Sequence, residues 1–104
     1  MKLITKEIEH KFETHPIYSQ DGKGLDAEVI VKFFNPYGVG TWLITEAERD
    51  GDDWNMFGYC ELGQDWEWGY VSFKELANLK IPPFGLGIER DMYAKGTVRK
   101  LARI

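Results

Sequence analysis

The chain has 104 residues, of which 43% are hydrophobic, 14% aromatic and 29% charged. This composition is typical of one folded domain with a single core, and it excludes a disordered chain and a second domain of similar size. The formal net charge of −4 argues against direct binding to the phosphates of nucleic acids. The longest apolar run is far shorter than the roughly 20 residues that span a bilayer, so no membrane contact is expected.

Charge and cysteine content bear on location and partners. Residues 1–94 hold nine basic and seventeen acidic residues, a net charge of −8, whereas the segment 95–104 holds four basic residues and no acid. Cys60 is the only cysteine, so no disulfide can form within the chain. The N-terminal residues are too charged for a signal peptide, and together these features predict a cytoplasmic protein.

The sequence pattern predicts a first helix, four strands and a second helix. Thr5 is a suitable N-cap for a first helix that runs to about Phe12, and a turn-rich surface loop is expected at 17–26. Segments rich in β-branched and aromatic residues predict strands at 28–34, 40–46, 54–62 and 66–71, and the polar segment 47–53 is predicted as a reversal. Ser72 and Glu75 match a capping box that begins a short second helix.

These elements predict an α+β fold in a single small domain, residues 1–104. The sheet is mainly an antiparallel meander of about four to five strands, accompanied by two short helices. The basic C-terminal segment, 95–104, fits a strand or a helix almost equally well. We interpret it as a final short strand or an extended tail.

Large aromatic residues exceed what one face of such a sheet needs. Two short helices cover one face, so some of the aromatic side chains should reach the other face and line a ligand cleft or a subunit interface, such as that of a homodimer. A planar ligand would stack on members of the set Trp42, Tyr59, Trp68 and Tyr70. A purely structural role in the core is the alternative.

The stretch 82–91 joins permissive backbone to a cluster of charges. Gly85 and Gly87 allow a close approach of the backbone to a ligand. The Arg90 guanidinium suits a carboxylate or phosphate, with Glu89 and Asp91 orienting it. The alternative is a turn followed by a surface ion network, and the stretch lacks the residues of a dinucleotide-binding motif or a P-loop.

No cofactor or metal is expected. The acids around Asp50 and Gly51 lack the ligand spacing of a calcium loop, and His10 and His15 have no partners at zinc-site spacing. The local sequence offers Cys60 no histidine base, so we interpret this residue as a buried structural thiol.

Several short blocks resemble those of one family. The blocks are Lys32-Phe33-Phe34 with Pro36, Thr41-Trp42, Phe57-Gly58-Tyr59, Glu67-Trp68-Gly69-Tyr70 with Ser72, Glu75 and Leu76, and Gly85-Leu86-Gly87-Ile88-Glu89-Arg90-Asp91. Their order and spacing resemble the small bacterial and phage family of the domain of unknown function DUF2958. The resemblance implies a setting on plasmids, conjugative elements and phages, where accessory and counter-defence genes are found. It implies no catalytic residue.

Three functions remain as hypotheses. The first is a non-enzymatic binding protein of a phage or mobile element, which counters a host defence by sequestering a nucleotide-like signal or by masking a host defence protein. For a nucleotide, the aromatic set stacks on the base and Arg90 holds the phosphate. The second is a protein-interaction module whose acidic hairpin, 46–53, docks on a nucleic-acid-binding host protein. The third is a small phosphoester hydrolase with Glu89 or Asp91 as its base.

Overall fold

A computed structural model describes residues 2–104 and contains a five-stranded antiparallel sheet with helices on both faces. The helical elements are α1 (Lys6–Thr14), a 3-10 turn (Gly24–Asp26), α2 (Phe73–Ala77) and α3 (Val98–Ala102). The strands are β1 (Val31–Phe34), β2 (Thr41–Asp50), β3 (Asp53–Glu61), β4 (Glu67–Ser72) and β5 (Glu89–Arg90), in the order β4-β3-β2-β1-β5. The predicted α+β class and the meander of the first four strands are confirmed.

Side-chain caps begin the two predicted helices. The Thr5 hydroxyl accepts the amide of Ile8 at 3.2 Å and begins α1. The Ser72 hydroxyl accepts the amide of Glu75 at 3.2 Å and begins α2. Such caps satisfy backbone donors that the first helical turn leaves without an intrahelical partner. None of the helices formed by residues 2–104 is long and apolar enough to cross a membrane.

The structure corrects two strand boundaries. The polar segment 47–53, predicted as a reversal, is largely strand, because β2 continues to Asp50 and the chain turns at Gly51. Pairing with β3 supports this extension, and the Arg49 guanidinium lies 4.3 Å from the centre of the Trp54 ring. β1 begins at Val31 rather than at residue 28, since Glu28 pairs with Thr97 and Val29 donates its amide to Gly96, both outside the sheet.

The basic C-terminal segment is a helix and not the final strand or extended tail that its sequence pattern suggested. The Thr97 hydroxyl accepts the amide of Lys100 at 3.3 Å and caps α3. Val98 and Ala102 lie on one side of this helix and are buried. A spacing of four residues returns to the same face of a helix, so burial of this pair selects the helical conformation.

Each face of the sheet has its own cover. On the face that we call the α1 face, α1 and α2 pack over a core that includes Phe12 and Phe33, both fully buried. On the opposite face, the α3 face, α3 and the segment before β1 enclose a smaller cluster around Leu43. This cover ends short of Trp68 and Tyr70, whose side chains are 39% and 55% exposed. The prediction that aromatic residues reach a second face is confirmed.

Candidate functional site

Five aromatic rings form a continuous row on the α3 face, which we call the aromatic ladder. Tyr59 faces Trp68 and Phe57 faces Tyr70 across β3 and β4, because alternate residues of a strand point to the same face. Ring centroids lie 4.8 Å apart for Tyr59 and Trp68, 5.5 Å for Phe57 and Trp68, and 4.9 Å for Phe57 and Tyr70. Trp66 stacks on Tyr59 at 5.3 Å. The Trp66 end contacts the α3 cluster, and the Tyr70 end is open.

A β-bulge in β2 brings a carboxylate to the open end of the ladder. The register of β2 against β3 shifts between Ile44 and Glu46, so Thr45 is the extra residue. Strict alternation would place Glu46 with Ile44 in the apolar core, where an ionised carboxylate is costly. The bulge instead places Glu46 opposite Phe57 and returns Ala47 to the core. Bulges commonly re-aim side chains in this way.

A glycine in β3 permits this arrangement. A Cβ added at Gly58 would lie 2.0 Å from the carbonyl oxygen of Leu43 and 2.8 Å from the Cα of Ile44. The backbone of β2 therefore approaches β3 more closely than any side chain allows. The cross-strand partner Gly69 differs, since a Cβ there would meet nothing within 4 Å.

The Glu46 carboxylate fastens the loop 17–26 above the open end of the ladder. Glu46 is 4% exposed, and its two oxygens accept the amides of Tyr18 at 2.9 Å and Gln20 at 2.8 Å. Tyr18 has a φ of +76°, a left-handed conformation that costs a residue other than glycine on the order of 1 kcal/mol. The bond to Glu46 helps to hold the loop in this conformation.

Gln20 ties the same loop to the bulge. Its buried side chain donates to the carbonyls of Glu28 and Thr45, both at 2.8 Å, and accepts the amide of Glu28 at 2.7 Å. Buried amide groups that make three such bonds hold the chain in one arrangement. These hydrogen bonds therefore fix the side of the loop that faces the ladder.

An open pocket of about 380 Å³ lies between this loop and the ladder, within the size range of ligand sites. The lining residues come from the loop, the bulge and the ladder: Tyr18, Gln20, Asp21, Gly22, Gly24, Ala27, Thr45, Glu46, Phe57, Trp68 and Tyr70. Asp21 and Glu46 are the carboxylates of this set, and the set contains no lysine or arginine. An aromatic wall and acidic groups thus meet in one cavity.

The acidic surroundings also act on the phenol at the pocket mouth. Partial desolvation raises the pKa of Tyr70, and the neighbouring Tyr18 side chain and the carboxylates of Glu46 and Glu48 raise it further. Negative charge disfavours the phenolate, whereas it favours a bound cation. The Tyr70 hydroxyl is protonated at neutral pH even without this shift, so it is a hydrogen-bond donor, and the carboxylates give the pocket a preference for positive charge.

The structure separates the predicted ligand-binding residues. Tyr59, Trp68 and Tyr70 belong to the ladder on the α3 face, whereas Trp42 is buried in the core of the α1 face. Arg90 lies in β5, at the opposite edge of the sheet from β4. Four strand spacings separate the two edges, about 19 Å along the sheet. The prediction that Arg90 lies beside Tyr59, Trp68 and Tyr70 in one site is therefore wrong.

The charged stretch around β5 has structural partners of its own. The Asp91 carboxylate lies 3.6 Å from Lys32 Nζ and accepts the amide of Tyr93 at 2.9 Å. Arg90 pairs with Phe33 in the sheet and lines a cleft beside α1, and Glu89 pairs across from β1. Asp91 thus serves an ion pair with β1, not the orientation of a ligand at the aromatic ladder.

The two glycines of this stretch lie in the turn before β5. Gly85 has a φ of +66° and donates its amide to the Ile81 carbonyl at 2.9 Å. An added Cβ would meet nothing within 4 Å at Gly85 or at Gly87. The positive φ explains Gly85 as a turn residue, and neither glycine borders the pocket of the α3 face.

Three acids of the hairpin 46–53 make structural contacts within the protein. Glu46 is buried beneath the loop, and Asp52 forms an ion pair with Lys74. Asp53 accepts the amides of Trp54 at 2.7 Å and Lys74 at 2.9 Å, and the Ser72 hydroxyl donates to it. Desolvation raises the pKa of Asp53, but these hydrogen bonds outweigh it and hold the pKa below its ordinary value. The hairpin tip is thus joined to α2.

Cys60 lies on the α1 face of β3, opposite Trp42. Burial raises the pKa of its thiol to about 11, so the reactive thiolate is scarce at neutral pH. Cys60 is only partly buried, which corrects the predicted burial, and its raised pKa agrees with a structural thiol. Among residues 2–104, no cluster of three or more histidine, cysteine, aspartate or glutamate side chains is arranged to hold a metal.

Sequence reasoning missed Tyr18 and Gln20, left Phe57 out of the predicted stacking set, and placed Glu46 in the acidic hairpin. The loop residues carry no recognisable motif, because their partners in β2 lie 25 or more positions away in the chain. One local signal existed: Glu46 falls where the strand alternation demands a core residue, and the small Ala47 follows it. Such a conflict between charge and alternation is a sign of a bulge.

A comparison with family models gives one match, to a model described as a protein of unknown function (DUF2958), over residues 3–102. No curated protein and no solved structure matches the chain. The matched range includes the loop, the bulge and both strands of the aromatic ladder. The sequence resemblance is therefore confirmed over nearly the whole domain.

Proposed function

The chain belongs to the DUF2958 family, and we propose that it is a non-enzymatic binding protein whose pocket on the α3 face receives a basic side chain of a partner protein. One observation carries the proposal: the buried Glu46 carboxylate lies in a cavity walled by Trp68 and Tyr70 that no lysine or arginine lines. Within this proposal the protein acts in the cytoplasm, which the single cysteine supports.

The chemistry of the cavity matches a guanidinium or ammonium group. An aromatic face attracts a cation by about 0.5 to 2 kcal/mol, more when water is excluded. A carboxylate has about four acceptor positions, and the amides of Tyr18 and Gln20 use two of them. A cation with several donors would complement such a carboxylate with charge-assisted bonds. Asp21 at the rim adds to the attraction.

This proposal moves the protein-interaction hypothesis from the hairpin tip to the pocket. Asp52 and Asp53 are engaged with the start of α2, whereas Glu46 borders the cavity. In the setting that the family resemblance implies, such a module would counter a host defence by masking a basic surface of a host protein.

A second candidate ligand is a planar heterocycle that stacks on Trp68 and Tyr70. The exposure of these rings, 39% and 55%, favours it, since the faces of exposed aromatic rings are platforms for bases. Asp21 and Glu46 would repel a phosphate, and Arg90 is too distant to compensate. This version therefore concerns a base or nucleoside without a phosphate in the pocket.

Hydrolysis at Asp91 has less support, because Lys32 and the Tyr93 amide already engage that carboxylate.

Calorimetric titration with a seven-residue peptide of alternating arginine and valine tests the proposal. We expect binding that weakens as the salt concentration is raised from about 50 to about 300 mM. The Debye length falls through about 10 Å in this range, so charges exposed to solvent are increasingly screened. Trp68→Ala should weaken binding about tenfold or more. Since Trp68 is partly exposed, this variant should fold.

Two controls make the result specific. Tyr37→Ala removes a ring of similar exposure in the turn between β1 and β2, and Glu13→Gln removes one negative charge from α1. Both should bind the peptide as the unmodified protein does. Equal loss in Tyr37→Ala and Trp68→Ala, or no binding at low salt, would contradict the proposal. Binding of adenosine or cytidine without binding of the peptide would favour the second candidate.

A further inference from the structure

Strand β4 is an edge of the sheet, and clefts lie on both of its sides. Along the α3 face lies the pocket already described; along the α1 face lies a second cleft of about 270 Å³. We propose that the partner binds as an extended segment that adds to β4 as a sixth strand, with alternating basic and apolar side chains. This inference rests on the proposed function, because the basic side chains enter the pocket of the α3 face.

The edge is open to such pairing. β4 pairs with β3 on one side and, among the described strands, with none on the other. Natural edges are usually blocked by charged residues, above all lysine, by proline or by a bulge. In β4, Glu67-Trp-Gly-Tyr-Val-Ser72, the one charged residue stands at the start, and the pairing with β3 runs without a register shift. Its six residues extend over about 20 Å. A peptide of six or seven residues would cover this edge.

The alternation of hydrogen bonds identifies the outward-facing groups. The Asp91 amide donates to the Lys32 carbonyl across β5 and β1 at 3.0 Å. Backbone groups alternate in direction along an antiparallel strand, and following this alternation through the paired residues of β1, β2, β3 and β4 turns Gly69 toward β3. The amides and carbonyls of Trp68 and Tyr70 then face the free edge, where an added strand would bond to them.

The two clefts demand different side chains from the incoming strand. The second cleft is bordered by Trp42, Cys60, Leu62 and Val71, which are apolar or weakly polar, and by the rim acids Asp65 and Glu67 among others. Residues that alternate along a strand point to opposite faces. A basic residue over Trp68 and Tyr70 would therefore be followed by an apolar residue over the second cleft.

Charge selects a basic partner over a second copy of this chain. Neither cleft is lined by a lysine or arginine, and between them they hold Asp21, Glu46, Asp65 and Glu67. Pairing of β4 with β4 of a second copy would bring two such acidic sets together, each on a body whose residues 1–94 carry a charge of −8. Like charges in that position oppose association, whereas a strand with arginine or lysine at alternate positions is attracted.

Backbone methylation of the probe peptide tests strand addition without changing the protein. Two versions of the alternating arginine and valine peptide are compared, one N-methylated at each valine and the other at each arginine. In an extended strand the two sets of amides face opposite edges. Strand addition therefore predicts that one version binds about tenfold or more weakly, and that the other binds within about threefold of the unmodified peptide.

Amide exchange gives an independent result on the protein. Peptide binding should slow exchange of the Trp68 and Tyr70 amides and leave that of Gly69 unchanged, since β3 already protects it. Equal effects of the two methylation patterns, or no added protection at Trp68 and Tyr70, would overturn strand addition. If Trp68→Ala still weakens binding in that case, the proposed pocket stands; if the unmodified peptide does not bind at all, the proposed function itself fails. A stable dimer by sedimentation, disrupted by Tyr70→Lys on β4, would replace the basic partner with a second copy.

Discussion

Glu46 both lines the pocket and holds the loop 17–26 by hydrogen bonds, and this leads to the sharpest prediction. Glu46→Gln keeps the shape of the side chain but replaces one carboxylate oxygen by an amide nitrogen. Both carboxylate oxygens accept backbone amides, at 2.9 and 2.8 Å. A glutamine can accept one of these donors, and its NH₂ group then faces the other. We expect the loss of one charge-assisted bond and a poorly satisfied buried donor, together about 2 to 4 kcal/mol.

Urea unfolding measures the global effect. With a slope of about 2 kcal/mol per molar, the midpoint should fall by about 1 to 2 M urea. Glu48→Gln is the matched control, because it removes the same charge from an exposed position of the same strand, and it should change the stability by no more than about 0.5 kcal/mol. The comparison separates the hydrogen bonds of Glu46 from the general effect of net charge.

Hydrogen exchange measures the local effect. The amides of Tyr18 and Gln20 bond to Glu46, and they should exchange faster in Glu46→Gln than in the unmodified protein. The increase should be larger than for amides in the centre of β3, because the loop opens before the sheet unfolds. The reasoning is refuted if Glu46→Gln and Glu48→Gln have the same midpoint and the two loop amides exchange as before. In that case Glu46 would not hold the loop over the pocket.

The other predictions concern Gly58 in the sheet, the Asp53 carboxylate and the Cys60 thiol. Gly58→Ala should destabilise the fold by about 3 kcal/mol or more, since its Cβ would lie 2.0 Å from the Leu43 oxygen, whereas Gly69→Ala should be tolerated within about 1 kcal/mol; thermal unfolding compares them. Asp53→Asn should cost about 1 to 2 kcal/mol at pH 7. Because the folded pKa of Asp53 is lowered, its stabilising effect is present above the ordinary carboxyl pKa, and the difference between the two proteins in unfolding curves should shrink as the pH falls through the folded pKa. With a pKa of about 11, Cys60 should react with iodoacetamide about tenfold more slowly than an exposed thiol, since the scarcity of thiolate outweighs its greater nucleophilicity; equal rates would contradict its burial.

Local chemistry explains why parts of the fold were predictable. Thr5 and Ser72 cap the helices that follow them, and a cap depends on residues within one helical turn. The strands of the meander were recognised because β-branched and aromatic residues are concentrated within single segments that turn residues separate. The C-terminal helix was missed, since its short pattern fits both periods and burial against Ala27 and Leu43 selects between them.

The candidate site was only partly predictable, because it is assembled from distant segments. Trp68 and Tyr70 were recognised as a possible stacking surface from their alternation within β4. Arg90 was assigned to the same site on chemical grounds, and the strand order placed it at the other edge of the sheet. The sequence contains no local signal for that order, because the chain crosses from β4 to the far side of β1 through α2 and the turn that follows.

By itself, then, the sequence of this protein determined its class, the caps of its first two α-helices, four of its strands and an excess of aromatic residues over one core. Each of these depends on residues that are neighbours in the chain. The tertiary structure alone decided that a bulge at Thr45 turns Glu46 toward the aromatic ladder, that Gly58 allows it, and that the loop of Tyr18 closes over the carboxylate. Those contacts join residues up to 28 positions apart, and only packing of the whole sheet brings them together.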